Sequence, residues 1–536
     1  MNNLSKRTGM TKGISHGINK LFVYSLLKRL NLISQKTFDE KFVKYSAQLK
    51  KELSIVPPEK PRQRITERAC VGILTPGSTA FIGRKIAALL KEWNIDVEFL
   101  RLFNVDSRKW DEKLYIIITP MIYSNNLPPN YIAIQMEQTI TDRWFTPEYT
   151  QKLNNALSVA DYSLYNFKYL KKNNIAAGKL HYLPIAPDAA KFSSLATRKT
   201  DVLFYGAIKS ERRQKALAYL EEELPIKRVH CQFDDGMLQL LDDTKIVINI
   251  HYYENAMLET TRVSEAISRG CLVISETSIN DAEYPALCEL IDFVPVGDFK
   301  GINKRVKYWL AHPEELENRI RTNCEKSKQL HYAYAYMLGR ILHYHGILGF
   351  ESLYQTCKNA YSITESVILH SAEAEHDLNS HAILKEAGFT YFPALVGKTP
   401  EKANIATLCF IARRALERSS QCVCVCDSQV NVSADFYQRF EEAKKFLISE
   451  KIDVLCCVLK PARLAGGAHA ESPLSIAKRS CLTLYSRKAL NQLACKTDMD
   501  SYLDAPPDNW YTNTHKDLKI QKFAHNLGSW LNGSEL

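Results

Sequence analysis

A chain of 536 residues, 46% hydrophobic and 24% charged, is long enough to bury several cores, which excludes a disordered or fibrous protein. Lys and Arg outnumber Asp and Glu by 70 to 59, and this formal charge of +11 favours polyanionic partners such as nucleotide phosphates, acidic glycans or an anionic membrane surface. No zinc-knuckle, homeodomain or RNP pattern occurs, so nucleic acid is not expected as a partner. No apolar run approaches the ~18–20 residues of a spanning helix, and no secretory apolar stretch opens the chain, which predicts a protein on the cytoplasmic side.

Residues 1–62 are basic and helical in pattern, with Leu21, Phe22, Leu26, Leu27, Leu30 and Ile33 set among Lys20, Lys28 and Arg29. Such a stripe fits an anionic membrane surface, peripheral at the inner face of the cytoplasmic membrane, or packing against the rest of the chain. Pro57-Pro58-Glu-Lys-Pro61 reads as a linker. From Val71 the pattern becomes strand (71–74), Gly-containing loop (75–83), helix (84–93) and strand (97–102), a βαβ unit. The loop is neither a Walker A motif nor a dinucleotide fingerprint, and it either faces a phosphate or simply connects. Further strands are expected at 115–119 and 131–135, the second running into Met136-Glu-Gln138 and then Arg143-Trp144.

Leu180 to Asp188 reads as the crossing between two Rossmann-like lobes. The strand Asp201-Val-Leu-Phe-Tyr-Gly206 then opens onto Lys209, Arg212, Arg213 and Lys215 at the start of a helix that reaches Leu220. A strand end, a glycine and basic residues at a helix N-terminus suit a phosphate. Ile246 to His251 is another buried strand, and His251 either faces the cleft or is a satisfied core histidine.

In Leu258 to Ser275, Thr260 or Thr261 would cap a helix carrying the stripe Val263, Ala266 and Ile267, Gly270 would close it in a left-handed cap, and Cys271 to Ser275 would be a strand. Glu259, Arg262 and Glu265 recur at i, i+3 and i+6, so they share a flank that either meets a polar ligand or carries salt bridges. Residues 301–345 read as helices closing the lobe.

Near Tyr361 the pattern restarts: a strand at 367–369, Ala387 to Phe392, a helix at 403–418 and the run Cys422 to Val430. Alternation places Cys422, Cys424 and Cys426 on one strand face, which suits reduced core thiols better than zinc or disulfides.

The run Ser264-Glu-Ala-Ile-Ser-Arg-Gly-Cys-Leu-Val-Ile resembles the donor-site element of bacterial group 1 GT-B glycosyltransferases. The resemblance implies a nucleotide-sugar donor, Glu265 on its ribose, and Lys209, Arg212 or Arg213 on the leaving diphosphate. Met257 stands where that family has a second glutamate, and Glu259 is a displaced substitute. Gln135-Met-Glu-Gln138 resembles a cleft-bordering loop of the same enzymes, which makes Glu137 an acceptor-side candidate, with pairing to Arg143 as the alternative.

The later module, with Leu482-Thr-Leu-Tyr-Ser-Arg-Lys-Ala-Leu-Asn-Gln-Leu493 and Asp498-Met-Asp500, resembles family 25 glycosyltransferases of GT-A fold. Where such enzymes hold a metal on clustered carboxylates, Cys426-Asp-Ser-Gln-Val430 keeps only Asp427, which implies a degenerate module and no divalent-metal requirement.

The expected fold class is α/β: a GT-B pair of Rossmann-like lobes at 63–188 and 189–350, then a GT-A-like domain at 360–536. The expected reaction moves a sugar from a nucleotide-sugar to a glycan or lipid-linked acceptor in surface polysaccharide or lipopolysaccharide assembly, with no cofactor beyond that co-substrate. The competing expectation is a non-catalytic glycan-binding scaffold.

Overall fold

The computed structural model describes residues 70–101, 105, 108–141, 144–190, 192–230, 232–373, 382–397, 400–428, 436–458, 480–494 and 520–522. The basic N-terminal stretch, its proline linker, Arg143, Gln429, Val430, Asp498 and Asp500 lie outside the described residues. All that is described falls in one compact unit, Arg68–Leu536.

Short apolar runs become β1 (Cys70–Leu74), β2 (Asp96–Leu100), β3 (Leu114–Ile118), β4 (Tyr131–Gln135), β5 (Ser158–Asp161) and β6 (Leu180–Tyr182). They pair in parallel in the order β2-β1-β3-β4-β5-β6. Strands β3, β4 and β5 are buried along their whole length, as strands covered on both faces must be. The connecting helices are α1 (Ala80–Glu92), α2 (Pro147–Asn155) and α3 (Leu164–Lys172). The crossing between lobes starts later than expected, because Leu180–Tyr182 still pairs with β5 as an edge strand.

A second parallel sheet, β11-β10-β9-β7-β8, is built from β7 (Thr200–Tyr205), β8 (Ile226–Val229), β9 (Thr244–Asn249), β10 (Leu272–Glu276) and β11 (Ile291–Val294). Its helices are α4 (Glu211–Glu221), α5 (Asp234–Asp242), α6 (Thr260–Ser268) and α7 (Phe299–Ala311). Phe204, Leu217, Ile246, Ile274 and Val306 meet in its core. Two helix-flanked parallel sheets give the double Rossmann-like architecture of the GT-B fold.

The 32-residue helix α8 (Pro313–Tyr344) ties the parts together. Leu316 and Ile320 lie in the second lobe's core. Further along, His331 Nδ1 is 3.1 Å from Lys85 Nζ of the first lobe, and His345, just past the helix, is 2.8 Å from the Ser158 hydroxyl. Direct contacts also cross between the lobes. The Gln138 side-chain amide donates to the Met257 carbonyl at 3.1 Å and accepts from its N–H at 3.0 Å, while Arg84 pairs with Asp234 at 2.9 Å. Glu283 accepts from Ser163 Oγ at 2.7 Å and Tyr165 N at 2.8 Å.

After α9 (Phe350–Cys357) come β12 (Ser366–His370), β13 (Thr390–Pro393), α10 (Pro400–Glu417), β14 (Cys422–Asp427), α11 (Phe436–Ser449), β15 (Val454–Val458), β16 (Ser480–Ser486), α12 (Arg487–Ala494) and β17 (Ile520–Lys522). The sheet order is β13-β12-β14-β16-β15-β17, with β16 antiparallel to both neighbours. Cys422, Cys424 and Cys426 pack into one core cluster, and Val423 and Val425 point into another, as period-two alternation requires. Among the described residues no helix is long and apolar enough to cross a membrane.

Candidate active site

Strand β7 delivers the chain to Gly206, whose φ of +131° suits glycine. A Cβ there would sit 2.5 Å from the Arg262 guanidinium, so a larger residue would have to displace that side chain. Lys209 is exposed in the loop that follows. Ser210 then caps α4: its hydroxyl donates to the Tyr252 carbonyl at 3.0 Å and accepts from Arg213 N at 3.5 Å.

The next two residues run in opposite directions. Arg212 grips Glu276 with both terminal nitrogens, one of them at 2.8 Å, and donates to the His251 carbonyl at 3.0 Å. Hydrogen bonding to Glu276 raises the Arg212 pKa. Glu276, fully buried at the end of β10, also accepts from His251 N at 2.8 Å and Gly297 N at 2.7 Å. Arg213 is 2% exposed, and its guanidinium reaches Ile250 O, Ala207 O and Glu259 Oε1 at 2.8, 2.9 and 3.0 Å. Burial pulls its pKa down to about 10. Arg213 therefore braces the loop from within and is not presented to solvent.

His251 is likewise enclosed, at 0% exposure. Its Nδ1 lies 2.5 Å from Glu259 Oε2 and its Nε2 3.1 Å from the Thr277 carbonyl oxygen. Both partners only accept, which requires both ring nitrogens to carry protons. Burial opposes that charge, but the Glu259 carboxylate outweighs it and the His251 pKa rises. Glu259 itself is held well below the usual carboxylate range, because His251, Arg262 and Arg213 overcome the cost of its burial. Thus Glu259 is committed to ion pairs, and Met257 is fully buried with its backbone taken by Gln138.

Helix α6 opens without the expected threonine cap. Thr260 is already helical, and Glu259 occupies the cap position without a side-chain bond to the first turn, its carboxylate being drawn to His251 and Arg213. Gly270 closes the helix at φ +71° as expected, and the strand that follows runs one residue later than read, Leu272–Glu276. Arg262 donates to Asn249 Oδ1 at 2.6 Å, lies 3.9 Å from Glu259, and stacks over Phe204 and Tyr205. Glu265 sits 3.4 Å from the Tyr205 hydroxyl, and burial pushes its carboxyl up to about 7 against the pull of Arg84, Tyr205 and Arg262.

The carboxyl ends of β7, β9 and β10 thus gather Arg212, Arg213, Arg262 and protonated His251 against the carboxylates of Glu259 and Glu276, four cations to two anions, with Lys209 at the rim. Asn249 and Glu276 were not singled out from sequence. The available signal was a polar side chain inside or directly ending an apolar strand, Asn249 within Ile248-Asn-Ile250 and Glu276 after Val273-Ile-Ser275. Glu137, half-buried on the first lobe just after β4, lies on the loop whose Gln138 reaches Met257. Among the described residues no cluster of three or more His, Cys, Asp or Glu side chains suits a metal ion.

Residues 193–343, which contain this entire cation cluster, match the Glycosyl transferase-like family. That match spans the second lobe and most of α8. Similar solved structures include sucrose-phosphate synthase from Thermosynechococcus elongatus, at 13% identity and TM-score 0.38, covering 52% of this chain and 98% of that one. Anabaena HepE in complex with UDP and glucose follows at 12% identity and TM-score 0.35, covering 51% and 99%. WaaG, a glycosyltransferase involved in lipopolysaccharide biosynthesis, has 11% identity and TM-score 0.35, covering 50% and 98%. No curated protein matches the chain.

Proposed function

We propose that this protein is a glycosyltransferase that moves a sugar from a nucleotide-sugar donor to a hydroxyl of a glycan or lipid-linked acceptor. The observation that carries the reading is the excess of cations over carboxylates in the partly buried cluster at the carboxyl ends of β7, β9 and β10, beside the N-terminus of α4. Fixed positive charge in a partly desolvated site stabilises charge that grows on a leaving diphosphate, and it needs no reorganisation during the reaction. The acceptor oxygen bonds to the anomeric carbon as the bond from that carbon to the diphosphate oxygen breaks, and the hydroxyl proton passes to Glu137. Lys209, which is exposed, and the partly buried Arg212 and Arg262 meet the diphosphate, and Glu265 accepts from the ribose hydroxyls. His251, Arg213 and Glu259 set the shape and charge of the site from behind. With the countercharge supplied by side chains, a divalent metal is not required.

The third sheet, whose β14 ends in Asp427 and Ser428, is proposed to orient the acceptor rather than to catalyse. Bacterial surface polysaccharide or lipopolysaccharide as the acceptor class, and work at the inner membrane face, follow from the sequence resemblance and complete the proposal. One observation favours the rival scaffold reading: Met257 and Glu259 leave no free carboxylate where group 1 enzymes hold the donor sugar. Calorimetric titration with UDP, GDP, ADP and CMP separates the two. A transferase binds one of them, in the micromolar range where ~8 kcal/mol is available; a scaffold binds none.

A further inference from the structure

The loop after β4 has no regular secondary structure, yet the backbone of Glu137 is bonded on both sides by fully buried side-chain amides. Gln135, at 0% exposure, accepts from the Glu137 N–H and donates back to the Glu137 carbonyl at 2.8 Å. Asn166, also 0% exposed, donates to the same carbonyl at 3.1 Å and accepts from Thr139 N at 3.1 Å and Thr139 Oγ1 at 2.8 Å. One amide therefore clamps the two residues that flank Gln138. Behind both amides lies Asp161, again 0% exposed, which receives Gln135 Nε2 at 2.8 Å, Asn166 Nδ2 at 2.9 Å and Ser163 N at 2.9 Å. Tyr149 adds its hydroxyl to Gln135 Oε1 at 3.2 Å.

Three polar side chains have been desolvated to fix the two peptide units on either side of Glu137 in one loop. Burying an amide or carboxyl is unfavourable unless every group is bonded, and an apolar filling would serve stability as well. What such a network adds is position: a residue on an irregular loop gains the fixity of the sheet beneath it. From the second lobe, the two-point bond of Gln138 to Met257 fixes the same loop at the residue next to Glu137, three residues before α6 begins.

We infer that Gln135, Asp161 and Asn166 are positioning residues for Glu137, holding its carboxylate at the acceptor side of the cleft. The inference rests on the proposed role of Glu137 and goes beyond it by assigning the residues through which that role is exerted. Because Gln138 binds the segment leading into α6, the same grip sets the distance between the acceptor-side carboxylate and the donor-side helix.

The test is a double-substitution cycle on the full chain, read as nucleoside diphosphate release from UDP-glucose, UDP-galactose and GDP-mannose with water as acceptor. Asn166→Ala should slow turnover roughly 10- to 100-fold, the scale of a small misplacement, while nucleotide affinity stays within about twofold. On a Glu137→Gln background the same substitution should have no further effect. Additive losses overturn the inference, and so does a fall in affinity that matches the fall in turnover. If Glu137→Gln alone leaves turnover unchanged, the acceptor-side reading of Glu137 fails, and the inference fails with it. Hydrogen exchange on the unaltered chain tests the grip without activity. The amides of Glu137 and Thr139 should be protected as strongly as β4, and exchange at open-loop rates overturns the inference even if Asn166→Ala does not fold.

Discussion

Glu265 has the most informative charge state of the single residues. Its carboxyl is pushed up to about 7 by burial, facing Arg84, Arg262 and the Tyr205 hydroxyl, with Asp234 opposing them. Ionising it therefore costs the folded protein stability as pH rises from the ordinary glutamate value toward 7, and above 7 the cost is constant. A ribose hydroxyl donates best to the ionised form, so nucleotide affinity should rise between pH 6 and pH 8. Glu265→Gln should flatten that rise and lower affinity at pH 8, with the nucleotide's own ionisation common to both proteins. Equal slopes by calorimetry would assign Glu265 to the scaffold. At this scale the sequence showed which residue types gather, and it did not show which way they face. His251 and Arg213 carry the right chemistry for a ligand, and the fold turns both inward, where Glu259 and the carbonyls of Ile250, Ala207 and Thr277 take their donors.

The loop from β7 into α4 divides its charges between a side chain bonded into the fold and one left exposed. Arg212 is bonded to a carboxylate with no exposure, and removing it leaves Glu276 buried without a countercharge. Arg212→Ala should therefore cost roughly 3–5 kcal/mol of stability as well as turnover. Lys209, exposed in the same loop, should behave differently: Lys209→Ala should lower turnover and leave the stability within about 0.5 kcal/mol. Melting temperature and turnover measured on both variants check the division, and a Lys209 variant with full turnover would remove that residue from the proposed mechanism. Elements of this kind were largely legible. β4 was read to the residue, and Gly270 to its backbone conformation, because apolar run length and a glycine after a helix are local signals. The start of α6 was not, since the side chain that decided it bonds to a histidine and an arginine brought there by other strands.

Among the described residues, α8 is the member that the three sheets share. Arg340, fully buried on it, has its ion-pair partner in Glu373, just beyond β12, and burial with Arg340 nearby holds His181 of β6 down at about 4. Glu373→Ala should leave a buried guanidinium uncompensated and cost roughly 3–5 kcal/mol, visible as a lower melting temperature for the whole chain rather than for the third sheet alone. Two separate melting transitions, with only one of them shifted, would show the sheets to be independent. The restart of strand patterns that supplies a third sheet was legible, but the pairing of β16 against its neighbours was not, because periodicity records which face a residue takes and nothing about which strand lies beside it.

The aromatic seam along α8 also bears on where the chain could be severed. Tyr336 lies 5.3 Å from Phe392 and 5.6 Å from Phe410, and Tyr354 lies 5.0 Å from Phe410. A break between Cys357 and Ser366 follows the sequence boundary between the second and third sheets, yet it would strip one oily stripe from each fragment. Neither piece would be a tidy protein alone, and the two made together in one cell would be driven back onto each other by the surface the cut exposed.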